Sequence, residues 1–139
     1  MDFSHLLTPV PSLQVLSLLF LAILFLQSGF DKVFDYKGNL EWLTDHFSKG
    51  PSNCTVGMLL PVLTLMEVAA GLVCLVGLLM LIFSFANGAA VGLAGAQLSA
   101  LTLIALFFGQ RFNKDYPGAA TLTTYFLITL ASIYLFHIA

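Results

Sequence analysis

Four apolar stretches, Leu13–Phe30, Pro61–Phe83, Phe85–Phe108 and Gly118–Phe136, take up most of this 139-residue chain. Each reaches or approaches the ~20 residues an α-helix needs to cross the hydrocarbon core of a bilayer. Hydrophobic residues make up 59% of the chain and charged residues 9%, against about 25% charged residues in soluble domains. The spacing predicts an all-α integral membrane protein, an antiparallel four-transmembrane-helix bundle forming one domain over residues 1–139. Four spans with short connections leave no room for a separate soluble catalytic domain. A net charge of −2 without a basic run excludes nucleic acid as a partner. Residues 1–12 hold no Lys or Arg, and SGFDK is a poor cleavage site, so the first stretch reads as a retained helix rather than a signal peptide.

The two cysteines, Cys54 and Cys74, form no CxxC and have no metal-ligand spacing with His5, His46 or His137. Cys74 lies about four helical turns from the loop that carries Cys54, on the order of 20 Å away at 1.5 Å per residue. A disulfide needs Cα atoms within about 7 Å, so an internal bridge and a metal site are both set aside.

The connections carry local signals. LEWLTDHFSKGP reads as a short amphipathic helix at about 40–49, lying on the membrane as an anchoring or lid-like connector. Asn39 is its N-cap, Glu41 suits its positive start, and Lys49 followed by Gly50-Pro51 stops it. Leu40, Leu43 and Phe47 share one face, and Trp42 suits the headgroup layer. Pro61 fits the first turn of the second helix, where a missing N–H costs nothing. The turn near Ser84–Asn87 is short enough to make the second and third helices antiparallel neighbours. Gly88, Gly92, Ala96 and Ala100 repeat every four residues, a spacing that lets another backbone approach closely. Packing within the bundle and dimerisation both use such a stripe.

Polar residues gather at one end of the predicted bundle. Gln27, Asp31 and Lys32 end the first helix, and Glu67 lies about 9 Å into the second, at 1.5 Å per residue. Arg111 ends the third helix, Asp115 opens the fourth, and Tyr125 enters at nearly the depth of Glu67. Ser28 and Lys32 share a helix face, as do Gln27 and Asp31. A carboxylate in a membrane helix costs roughly 2.5–3.5 kcal/mol near the bilayer centre, so Glu67 needs a partner, and Lys32 and Arg111 are the cations at its level. One reading is an ion-pair network that fixes helix packing. The other is a polar pocket for a headgroup, a quinone or a small substrate, with Glu67 as proton acceptor. Gln97, deeper in the third helix, calls for a hydrogen bond across helices.

Three blocks resemble the DoxX family of small membrane proteins: FLQSGFDKVFD, LTLMEVAAGLVCLVGL and FFGQRFNKDYPGAATLTTYFL. Together they touch nearly the whole chain, and the last is the most specific. The resemblance implies a four-helix bundle with motif positions at Gly29, Lys32, Glu67, Gly71, Arg111, Asp115 and Gly118. It implies a bacterial inner (plasma) membrane and a small membrane subunit of a redox or quinone-linked complex, contributing a quinone or lipid pocket. The chain has no haem-ligand pair at transmembrane spacing, no CxxC and no dinucleotide fingerprint, so its residues assign it no reaction of its own. The alternative is a non-enzymatic scaffold or assembly subunit, and a small-molecule or lipid transporter comes third. The partners implied are membrane lipids together with other membrane subunits or a second copy of the chain.

All five basic residues, Lys32, Lys37, Lys49, Arg111 and Lys114, lie in or beside the first and third connections. The positive-inside rule puts both connections in the cytoplasm and both termini outside. With Cys54 and Cys74 removed, a single cysteine at position 139 should react with an externally added impermeant label and one at position 49 should not. The reverse pattern would show that these charges serve a site rather than set the topology.

Overall fold

The computed structural model describes residues 4–34, 56–112 and 115–138; the side chains of residues 5, 56–60 and 112 are outside that description. After a 3₁₀ turn at Ser4–Leu7 come four α-helices: α1 (Pro9–Phe34), α2 (Val56–Ile82), α3 (Gly88–Phe112) and α4 (Tyr116–Ile138). Each contains a segment long and apolar enough to cross a membrane. Only 22–33% of each such segment is buried inside the bundle, and the outer face carries large exposed apolar side chains such as Ile23, Leu65, Leu101 and Leu127. An apolar exterior of this kind belongs in lipid, and the protein is a small integral membrane protein. The predicted connector at 40–49, with Trp42, and Cys54 lie outside the described residues.

Helix ends differ from the sequence reading in instructive ways. α1 runs on to Phe34, past Phe30, so Asp31 and Lys32 sit within its last turns. α2 begins at Val56, which puts Pro61 inside the helix rather than in its first turn. Proline is tolerated within membrane helices because neighbouring groups re-satisfy the freed backbone. α3 begins at Gly88 rather than Phe85, because the preceding residues form a helix stop. The Phe85 N–H donates to Met80 O at 2.9 Å and the Ser84 N–H to Leu81 O at 3.3 Å, with Ser84 at φ 61°. This is a Schellman turn, in which glycine usually takes the left-handed position. Serine accepts it at roughly 1–2 kcal/mol.

α2 packs most extensively on α3 and on α1, α3 packs on α4, and α1 and α4 close the ring through a narrower seam. The core joins Leu18, Leu21 and Phe25 of α1 to Ala70, Cys74 and Leu78 of α2, with Leu103 and Phe136 from the other two helices. Apolar side chains gain no hydrophobic advantage from one another over lipid tails, so close backbone approach and interhelical hydrogen bonds carry association. Both are present. A Cβ on Gly77 would lie 2.7 Å from Gly92 Cα, and one on Gly95 would lie 3.0 Å from the Cys74 backbone. The other face of Gly92 meets the Phe136 ring and Leu18, and Gly88 abuts Met80 and Leu81. Ala96 is fully buried and Ala100 half-buried. The stripe therefore packs within the chain along its first half, with Gly77 of α2 as its partner and Gly95 as a further α3 contact, against Cys74, that the four-residue spacing did not identify.

The α1–α4 seam is polar. Gln14 Nε2 donates to Leu135 O at 3.1 Å, and the Ser17 and Ser132 hydroxyls lie 2.8 Å apart. Inside the helices, Ser99, Thr102 and Thr129 return their hydroxyls to the carbonyl four residues back, which satisfies them without a partner helix. Gln97 differs from its expectation. It is exposed on α3, because its place on the helix points it away from the neighbours that Ala96 and Ser99 face.

Gly77→Ala should lower the unfolding temperature in detergent. Its methyl group would strike backbone that cannot move aside, and overpacking typically costs about 1–3 kcal/mol. At Gly109 a Cβ would meet nothing within 4 Å, so Gly109→Ala should leave stability unchanged or raise it by up to about 1 kcal/mol through helix propensity. Equal melting of the two variants would contradict backbone contact at the α2–α3 crossing.

Candidate functional site

The site begins with two glycines. A Cβ on Gly29 of α1 would lie 2.6 Å from Val68 Cγ2 and 3.2 Å from its backbone nitrogen. A Cβ on Gly71 of α2 would lie 2.8 Å from Leu26 Cγ and 3.0 Å from Leu26 N. The two helices thus approach at backbone distance at Val68 and Gly71, within the turn that follows Glu67. At that crossing the short Ser28 side chain reaches the carboxylate, which a wider separation would prevent.

Three polar side chains close on one another there. The Ser28 hydroxyl donates to Glu67 Oε2 at 2.9 Å. The Lys32 ammonium donates to the same oxygen at 2.9 Å and to Ser28 Oγ at 2.7 Å. Ser28 and Lys32 are one turn apart on α1, so a single helix face presents both donors. The Glu67 side chain is 2% exposed and that of Lys32 is 18% exposed. Glu67 is therefore sealed in the bundle while its cation opens toward the membrane surface, the posture of a lysine near a helix end. Both bonds fall on Oε2; among the described residues nothing donates to Oε1.

The other polar candidates stand apart from this triad. The Arg111 guanidinium is exposed and lies over the Tyr116 ring, 4.8 Å from its centroid, so Lys32 and not Arg111 takes the Glu67 charge among the described residues. Asp115 precedes α4 and accepts the Gly118 N–H at 3.3 Å, an N-cap that satisfies one free donor of the helix start. Tyr125 is half-buried and packs its ring against Phe20 at 6.1 Å and 48°. Gln27 and Asp31 are both exposed on the face of α1 turned from Ser28 and Lys32.

Other polar groups were absent from the sequence-based set. Gln110 Oε1 is buried without a hydrogen-bond partner among the described residues. Gln14, Ser17 and Ser132 form the seam at the opposite end of the bundle. A glutamine inside an apolar run is itself a signal for such a bond, because hydrocarbon offers it no other partner. Cys74 is a free, buried thiol 3.4 Å from Ser99 Oγ. Among the described residues no group of three or more His, Cys, Asp or Glu side chains could hold a metal ion. No protein-family model, curated protein or solved structure matches the chain.

Proposed function

We propose that this protein is a small integral membrane subunit of a redox or quinone-linked complex, whose polar end receives a quinone headgroup. The observation that carries the reading is the Lys32–Ser28–Glu67 triad at the end of α1. An ammonium has three N–H donors, and two are engaged, by Ser28 and Glu67. The third is available to a quinone carbonyl from the partly open side of Lys32. Glu67 Oε1 is the acceptor for one of the two quinol protons, the second passing to water at the membrane surface beside Lys32 and both electrons to a redox-active partner subunit. The likeness to the DoxX family supports the same reading, with the basic connections on the cytoplasmic side of a bacterial inner membrane.

One observation favours a scaffold or assembly subunit instead. Gln97 is exposed on α3, ten residues into a 24-residue span and so close to the bilayer middle. An amide in hydrocarbon without a partner costs roughly 4–8 kcal/mol on alkane scales, which a neighbouring membrane subunit would relieve.

Quinone extracted from gently purified protein separates the two. The quinone reading expects retention by the wild type and at least a tenfold loss (~1.4 kcal/mol) in Glu67→Gln, whose helicity is retained although its melting falls with the lost ion pair. A wild type that carries no quinone but copurifies with a stoichiometric protein partner would overturn it in favour of the scaffold.

A further inference from the structure

A groove of about 290 Å³ opens between α3 and α4, lined by Ile104, Phe107, Leu122, Thr123, Phe126 and Leu127. Its one polar side chain is already satisfied, since the Thr123 hydroxyl donates to Ala120 O at 2.6 Å. The groove therefore presents hydrocarbon alone. It shares no residue with the Lys32–Ser28–Glu67 triad.

Helical spacing leads both walls to the same mouth. On α3, Ile104, Phe107 and Arg111 fall at i, i+3 and i+7, one continuous face. On α4, Tyr116, Thr123 and Leu127 fall at i, i+7 and i+11, again one face. Arg111 and Tyr116, where the two faces end, are stacked on each other. Phe107 lies about 6 Å and Ile104 about 10 Å deeper than Arg111, at 1.5 Å per residue. Tyrosine and arginine suit the headgroup layer. The guanidinium is exposed and forms no ion pair among the described residues, and its planar fork matches phosphate oxygens.

We propose that α3 and α4 form a binding site for one anionic phospholipid, with an acyl chain in the groove and the phosphate on Arg111. Tyr116 stacks beneath the guanidinium and fixes its plane toward the headgroup. The volume is at the low end for ligand pockets, which fits a segment of one chain rather than a whole lipid. The charge complement selects the class, because a zwitterionic headgroup gains less from a single cation.

The test is native mass spectrometry of the full chain released from mixed micelles with equal phosphatidylglycerol and phosphatidylcholine. The wild type should retain one phosphatidylglycerol in preference to phosphatidylcholine by about fivefold, the value of one cation near an anionic surface. Arg111→Gln should abolish the preference and Arg111→Lys should keep most of it. Leu127→Trp, which fills the groove, should reduce retention of both lipids, whereas Leu65→Trp on exposed α2 surface should not. Equal retention of the two lipids by the wild type, an intact preference in Arg111→Gln, or a protein dimer lost in Leu127→Trp would each overturn the proposal. None of these readouts depends on whether quinone binds at Glu67.

Discussion

Inside a bilayer, apolar side chains meet lipid as comfortably as they meet each other, so what must be explained is why these four helices associate at all. The answer lies in backbone approach and in polar bonds that have no alternative partner in hydrocarbon. Gly77 against Gly92 and Gly95 against Cys74 bring α2 and α3 together, and Gly29 and Gly71 do the same for α1 and α2. Only at that separation does Ser28 reach the Glu67 carboxylate. The glycine contacts and the ion pair are therefore one device. The first sets a distance, and the second makes that distance and that register more favourable than others.

The two ends of the bundle are built differently. At the Lys32 end a charge pair is partly open, and one N–H of the ammonium has no acceptor among the described residues. At the other end Gln14, Ser17, Ser132 and the Leu135 carbonyl form neutral bonds across the α1–α4 seam. Interhelical hydrogen bonds of this neutral kind average about 0.6 kcal/mol in membranes, whereas stranding a buried charge costs about 3–5 kcal/mol. The neutral end serves as glue. The charged end can respond to a ligand or a proton, and the proposed function is placed there for that reason.

The four-helix architecture was legible in the sequence because the length and apolarity of a span are one-dimensional properties. Boundaries were less so: α1 extends through Asp31 and Lys32 because charge ends an apolar run without ending a helix, and Pro61 lies within α2 because membrane helices tolerate proline. Depth put Glu67, Lys32 and Arg111 at one level, but depth carries no azimuth. The i, i+4 spacing of Ser28 and Lys32 was the signal that could have chosen between the cations, since a single α1 face then offers two donors. Arg111 has a ring beside it instead, supplied by Tyr116 across the short α3–α4 connection. The Gly88–Ala100 stripe named one wall of the α2–α3 crossing, and nothing in its period could identify Gly77 as the other. Gln97 invited a bond across helices, and rotation about the α3 axis turned it outward.

On this geometry the Lys32–Glu67 pair couples α1 to α2 energetically and is more than a proximity. A double-mutant cycle measures it directly: unfolding free energies in bicelles for wild type, Lys32→Met, Glu67→Leu and the double variant. The geometry predicts that Lys32→Met alone, which strands a carboxylate 2% exposed, costs about 3–5 kcal/mol. Removing the carboxylate as well should recover most of that loss, giving a coupling near the upper end of the roughly 0.5–3 kcal/mol range for contacting residues. Losses that simply add, or a neutral Lys32→Met, would contradict the account and make the pair a passive contact at the edge of the bundle.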